Sequence, residues 1–174
     1  MSHEEPGPLR RLGLWVFRFS PARLVWPAIR VVSPTFTMGA VALIEYDGKL
    51  LALRQTHRKG VSLPGGMVEK GEHPVTAVAR EVLEETGIRI DPGDVAATTF
   101  ETKLRHVDVI FRVVCDHEPV VRPASEATSY EWLPLDGWTD VDNATQRILD
   151  ALDAVLHEPR VGELLDSPDD AVGG

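Results

Sequence analysis

Between Gly66 and Ile88 the chain reads Gly66-x5-Glu72-x7-Arg80-Glu81-Val82-x-Glu84-Glu85-x-Gly87-Ile88, so residues 72–85 hold four carboxylates and one arginine. Carboxylates this dense repel one another, and a cation is the partner that relieves them. Oxygen donors from carboxylates, a backbone carbonyl, water and phosphates are what Mg²⁺ prefers, whereas one cysteine and the lack of a close histidine pair give a soft-metal site no support. The pattern therefore points to a hard divalent cation such as Mg²⁺.

These carboxylates need an element to present them. Pro74 stands where a first helical residue is favoured and Gly87 where a helix stops, which predicts one short helix over 74–86. Val75, Val78, Ala79 and Val82 recur at helical spacing and are expected to face a core, with Glu81, Glu84 and Glu85 on the opposite side. Glu81 and Glu85 at i, i+4 cost about 0.2–0.5 kcal/mol as a like-charge pair, and acids in the last turn meet the negative end of the helix dipole. An ordinary solvated face would interleave lysines, and this one has none. Just upstream, Ser62-Leu63-Pro64-Gly65-Gly66 offers two glycines whose backbone can approach closely, so the Gly65 carbonyl is a further candidate metal ligand.

Residues 66–88 resemble the signature box of the Nudix hydrolases at every specified position, the aliphatic ones at Val82 and Ile88 included. The resemblance extends, through flanking features, over about residues 36–156. It implies Mg²⁺- or Mn²⁺-assisted hydrolysis of a nucleoside diphosphate linked to another moiety, NDP-X, by water attack at phosphorus. It further implies that Glu81 and Glu85 are the principal metal ligands with Glu84 assisting, that Arg80 and Glu72 orient the cluster, and that Gly66 and Gly87 are structural. Physical chemistry agrees: an acidic site holds an anionic diphosphate only through bridging cations, which also neutralise charge developing in the transition state. Arg80 can pair in bidentate fashion with a neighbouring carboxylate and hold it in place.

Proton removal from the attacking water falls either to a box glutamate, Glu81, or to an acid on a later loop. Glu126, six residues before Trp132, opens a segment that resembles the family's late loop and strand. Its bland alternative is an exposed loop glutamate. Two further readings stand beside NDP-X cleavage: a housecleaning pyrophosphatase acting on nucleoside triphosphates, and a nucleotide-binding module without catalysis. Degenerate modules would be expected to lose Glu81, Glu84 or Glu85, and this chain keeps all three. The upstream arginine-rich pattern associated with coenzyme A hydrolases and the downstream proline-bearing pattern of ADP-ribose hydrolases are both missing.

The elements around the box follow from local patterns. Residues 38–46 and 49–54 flank Asp47-Gly48, a hairpin signal. Thr98–Leu104, Val107–Cys115 and Tyr130–Leu133 read as strands, and Val141–Leu156 as an amphipathic helix with Ile148, Leu149, Leu152, Val155 and Leu156 inward. Strands and helices without regular βαβ alternation give an α+β class, and the resemblance supplies an α/β/α sandwich around a mixed β-sheet. Substrate phosphates are expected to meet cations outside the box: Arg54 and Arg58, with His57 and Lys59, before the Gly-Gly loop, and Lys103 and Arg105, with His106, between the later strands. The opposing reading makes each a solvated surface cation.

At 174 residues with 43% hydrophobic and 26% charged, the composition suits a soluble globular domain with a real core. A net charge of −9 disfavours broad binding to nucleic-acid backbone and leaves a small nucleotide as the expected partner. Cys115, the lone cysteine, allows no intrachain disulfide and reads as a small packed hydrophobe. The short apolar run Leu12–Phe17 lacks the features of a secretory signal, and its arginine-rich surroundings exclude a spanning helix, so a cytoplasmic location is expected. Residues 1–35 form a basic, aromatic extension, with Arg10, Arg11, Arg18, Arg23, Arg30, Trp15, Phe17, Phe19 and Trp26, to a domain over 36–157. Helices packed on the domain or on a second subunit of a homodimer, interfacial membrane attachment, and part of a substrate pocket are its three readings. Residues 158–174, rich in Pro, Asp and Gly, read as a disordered tail.

Overall fold

A computed structural model describes residues 21, 33, 35–135, 138–157 and 165–166, with the side chains of 154–157 and 165–166 left aside. The chain divides into two units, Met1–Thr35 and Phe36–Gly174. The basic and aromatic residues of the first unit lie outside the described residues, as do the side chains of Val155 and Leu156 and most of the tail. Everything below concerns the second unit.

Its strands are β1 Thr37–Tyr46, β2 Lys49–Gln55, β3 Val61–Ser62, β4 Gly65–Met67, β5 Val95–Glu101, β6 His106–Val114, β7 Ala127–Pro134 and β8 Leu165–Asp166. Two helices, α1 Pro74–Thr86 and α2 Asn143–His157, complete it. Strands β3-β2-β1-β6-β5-β8 run across one sheet, with β4 on β1 and β7 on β2. The pairing is mixed: β1 lies parallel to β6 and antiparallel to β2. Asp47 and Gly48 join β1 to β2 with φ of 49° and 67°, the positive pair that a two-residue hairpin turn demands.

Alternation along the strands builds a core on each face of the sheet. Ala40, Ala42 and Ile44 of β1, Leu51 and Leu53 of β2 and Phe111 of β6 pack with Ala77, Val78 and Val82 of α1. Their neighbours Leu43, Leu50 and Ile110 pack on the other side with Ile148, Ala151 and Leu152 of α2. The α/β/α sandwich is the result. Burying Val78 and Val82 completely contributes about 1.5–3 kcal/mol each, which fixes α1 against the sheet despite its repelling glutamates.

Several boundaries differ from the sequence reading: β5 begins at Val95 rather than Thr98, β7 spans Ala127–Pro134 rather than Tyr130–Leu133, and others shift for local reasons. Helix α2 starts at Asn143 because Asp142 caps it, its Oδ1 accepting the Thr145 N–H at 2.7 Å, while Val141 bridges to Val61. Strand β5 ends at Glu101 because residues 102–105 turn, Arg105 donating its N–H to the Thr102 carbonyl with φ at 51°. Residues 61–62 and 65–67 pair as short strands, so the Gly-Gly segment is anchored to β1 rather than free in a loop. Within the tail, Leu165–Asp166 pairs in parallel with β5. Cys115 is a free, half-buried thiol packed against the α1-side core, and burial pushes its pKa up.

Candidate active site

Helix α1 carries its carboxylates on more than one face. Glu85 follows Val82 by three residues and Val78 by seven, so it ends the apolar stripe instead of opposing it, and it is only 5% exposed. Ala77, not Ala79, is the fully buried alanine. The expectation that all three glutamates share a polar face is corrected here: Glu84 is exposed, Glu81 half-buried and Glu85 buried.

Arg80 organises the outer part of the cluster. Its Nε and Nη2 donate to the two oxygens of Glu72 at 3.1 and 3.0 Å, and Nη1 donates to Glu81 Oε1 at 2.7 Å with Glu84 Oε2 at 3.5 Å. Nη2 also donates to the Met67 carbonyl at 3.2 Å, tying the helix to β4. The Arg80 bonds, with a backbone N–H from Glu69, hold the Glu72 carboxyl below its usual range. Bonds to Glu72 and Glu81 push the Arg80 pKa further up, so the guanidinium stays charged.

Glu81 lies directly against Gly66. A Cβ placed on Gly66 would sit 2.5 Å from the Glu81 carboxyl carbon, so no larger residue fits without moving that carboxylate. A Cβ on Gly65 would meet the Ala40 carbonyl oxygen at 2.4 Å, and the backbone there has φ of 144°. Both glycines of the pair are required, for different reasons.

Inside the cluster, Gly65 donates its N–H to Glu85 Oε2 at 3.0 Å, and Gln55 at the end of β2 donates its Nε2 to Glu85 Oε1. The Gly65 amide is thus committed to Glu85. Burial pushes the Glu85 carboxyl up to about 7, aided by the charge of Glu81 and opposed by the Gly65 and Gln55 bonds and by Arg58. A carboxyl raised in this way binds its proton more tightly folded than unfolded. Its stabilising contribution is therefore complete near pH 4.5 and is lost as pH climbs through about 7. We expect metal-free protein, in chelator, to lose on the order of 1–3 kcal/mol between pH 5 and 8 relative to Glu85→Gln. Thermal melts of both proteins across that range check this, and a constant difference between them would refute it.

Among the described residues, no three His, Cys, Asp or Glu side chains meet at one point as they stand. The donor chemistry nevertheless fits a hard divalent cation. The groups are carboxylate oxygens, Arg80 accounts for Glu72 and Glu81, and buried Glu85 is held by neutral donors alone.

The late loop reaches the C-terminal end of α1. Ala124 donates its N–H to the Glu85 carbonyl at 2.9 Å and Arg122 to the Thr86 carbonyl at 2.7 Å. Glu126 follows, exposed, its carboxylate 3.0 Å from His57 Nδ1 and its carbonyl accepting the Thr56 N–H.

The cations expected to meet substrate have separate placements. Arg54 pairs with Glu131 and Asp140 at 3.1 Å each, and Arg58 pairs with Asp142 at 2.9 Å. Lys103 and Arg105 occupy the β5–β6 turn. Arg58 lines an open cleft on the α2 face of the sheet, whose walls also include Gly65, Gly66, Thr145, His106 and Asp108. Sequence reasoning grouped His106 with the phosphate contacts and missed Asp108 altogether. His106 Nε2 lies 2.9 Å from Asp108 Oδ1, and its Nδ1 lies 2.7 Å from the Thr37 hydroxyl. The pair crosses β1 at Gly39, where a Cβ would sit 2.3 Å from Asp108 Oδ1. The signal available in sequence was Gly39 and the buried-strand aspartate, but only the parallel β1–β6 register places them together.

The NUDIX domain family matches residues 34–152 of this chain. The chain belongs to the Nudix hydrolase family. A MutT-like protein of Streptomyces ambofaciens is 38% identical over 117 residues, 66% of this Nudix chain and 75% of that protein. The NAD-capped RNA hydrolase NudC of Klebsiella pneumoniae is 51% identical over 51 residues, 29% of this chain but only 20% of its own length. Among solved structures, the MutT protein of Methanosarcina mazei Go1 superposes with a TM-score of 0.61 at 27% identity, covering 73% of this chain and 99% of that one. A UDP-X diphosphatase shares the fold with a TM-score of 0.60 at 18% identity, covering 91% and 82%. Among the described residues, no helix of this Nudix protein is long and apolar enough to cross a membrane.

Proposed function

We propose that this Nudix hydrolase cleaves the diphosphate linkage of a nucleoside diphosphate derivative, NDP-X, by water attack at phosphorus. The observation that carries the reading is the buried, neutrally held Glu85 beside the Arg80-bound Glu72 and Glu81, adjoining a cleft through Gly65 and Gly66.

Glu81 and Glu85, with Glu84 assisting and the Gly65 carbonyl as a further donor, would hold Mg²⁺ or Mn²⁺. Such a cation, when bound, neutralises phosphate charge and lowers the pKa of water. Arg80 and Glu72 keep Glu81 in place, so that the carboxylate does not have to be ordered during turnover. Of the two candidate bases, Glu81 would be committed to the cation and has one oxygen held 2.7 Å from the Arg80 guanidinium, whereas Glu126 is exposed on the late loop beside the His57 imidazole. Glu126 is the assignment we favour.

The cleft suits the nucleoside or the X group. Asp108, one oxygen of which is on His106, presents an acceptor to N–H or hydroxyl donors, and Arg58 lies at the same wall. Lys103 and Arg105 are left to the approach of an anionic substrate rather than to a fixed contact.

Turnover of a panel with Mg²⁺ or Mn²⁺ tests this: ADP-ribose, nucleotide sugars, dinucleoside polyphosphates, NADH, coenzyme A, and canonical and oxidised nucleoside triphosphates. We expect metal-dependent release of a nucleoside monophosphate from one NDP-X class. Turnover confined to the triphosphates would replace this reading with that of a triphosphate pyrophosphatase.

A further inference from the structure

We propose that Gln55 is a positioning residue for Glu85, fixing that carboxylate from behind in the orientation that receives the divalent cation. The inference deepens the hydrolase reading above and rests on it.

Gln55 ends β2 on the face that carries Leu51 and Leu53, directly beneath α1, and is 7% exposed. From there its Nε2 donates to Glu85 Oε1 across 30 residues of sequence, while Gly65 donates to Oε2. Two elements thus grip both oxygens of one side chain and set its plane. The β2–β7 register shifts between Arg54 and Gln55, with Arg54 opposite Ser129 and Gln55 opposite Ala127. Irregularities of this kind re-aim a side chain near functional sites.

Packing alone does not explain the residue. Gln55 Oε1 is buried with no hydrogen-bond partner among the described residues, an arrangement that costs free energy. Leucine or methionine could occupy the same buried place opposite Ala127 without an orphaned acceptor. A buried polar group kept against that penalty marks a functional constraint. The choice of an amide is also informative. Arg80 shares its positive charge among Glu72, Glu81 and Glu84, whereas an amide orients Glu85 without offsetting its charge.

Gln55→Leu and Gln55→Met provide the test, with three readouts: melting temperature without metal, direct Mn²⁺ binding by electron paramagnetic resonance, and the Mn²⁺ concentration for half-maximal hydrolysis. We expect an unchanged or higher melting temperature together with Mn²⁺ affinity weakened by about 10–100-fold. A residue serving only the fold would lower the melting temperature and leave Mn²⁺ affinity unchanged. Mn²⁺ binding within twofold of wild type in the Met variant overturns the proposal even if the Leu variant fails to fold. Glu85→Gln run in parallel separates the two levels. Wild-type Mn²⁺ binding in that protein overturns the metal assignment itself, whereas weak binding there with normal binding in the Gln55 variants overturns the role of Gln55 alone.

Discussion

Glu85→Gln is expected to lower metal-dependent hydrolysis by on the order of 10³-fold while leaving the fold intact. The substitution removes the charge and keeps the shape. The new amide oxygen can still accept the Gly65 N–H, and the new amide N–H can face the orphaned Gln55 Oε1 once the Gln55 amide is turned over. Metal-free Glu85→Gln should therefore melt at or above the wild-type temperature at pH 8, where the wild-type carboxyl is ionised while buried and close to the Glu81 charge. Steady-state kinetics at saturating Mn²⁺ and a melt in chelator check both halves. A variant within tenfold of wild-type turnover would remove Glu85 from the account, and one that fails to fold would assign it to structure.

Gly66→Ala is expected to cost activity out of proportion to stability. The added methyl would stand 2.5 Å from the Glu81 carboxyl carbon, and the obstacle is the far end of a flexible side chain, which can swing away at little cost to the fold. Swinging breaks the 2.7 Å bond to Arg80 and takes Glu81 off its position. Displacements of about 1 Å at a catalytic group reduce rates by about 100-fold, and that is the loss expected here with a melting temperature within a few degrees of wild type. Gly65→Ala makes the contrast. Its methyl would meet backbone, the Ala40 carbonyl at 2.4 Å, at φ of 144°, so stability itself should collapse. Kinetics and melts of the two alanine variants side by side test the distinction, and similar melting temperatures would contradict it.

The parts of this molecule encoded locally were legible in its sequence. Pro74 and Gly87 bound α1, and Asp47-Gly48 turns the first hairpin, because those residues fix their own backbone. The helical periodicity that located α1 was also where the reading slipped. Charge suggested a solvent face for Glu85, while its spacing from Val78 and Val82 put it on the buried stripe. Partners such as Gln55 with Glu85, or His106 and Asp108 with Gly39, lay beyond local patterns because strand register brings them together. Arg54 was legible as a cation near the site, but Glu131 and Asp140 claim it through tertiary pairing. Glu72 with Arg80 was the exception, since a helix and its preceding turn already place the two within reach.

The most direct measurement is hydrolysis of the NDP-X panel in H₂¹⁸O, with the products weighed by mass spectrometry. The account predicts two phosphorylated products, one of which carries a single ¹⁸O on phosphorus, formed with Mg²⁺ or Mn²⁺ and not in chelator. Folded, metal-loaded protein that returns every substrate intact, or ¹⁸O appearing on carbon instead of phosphorus, would contradict it.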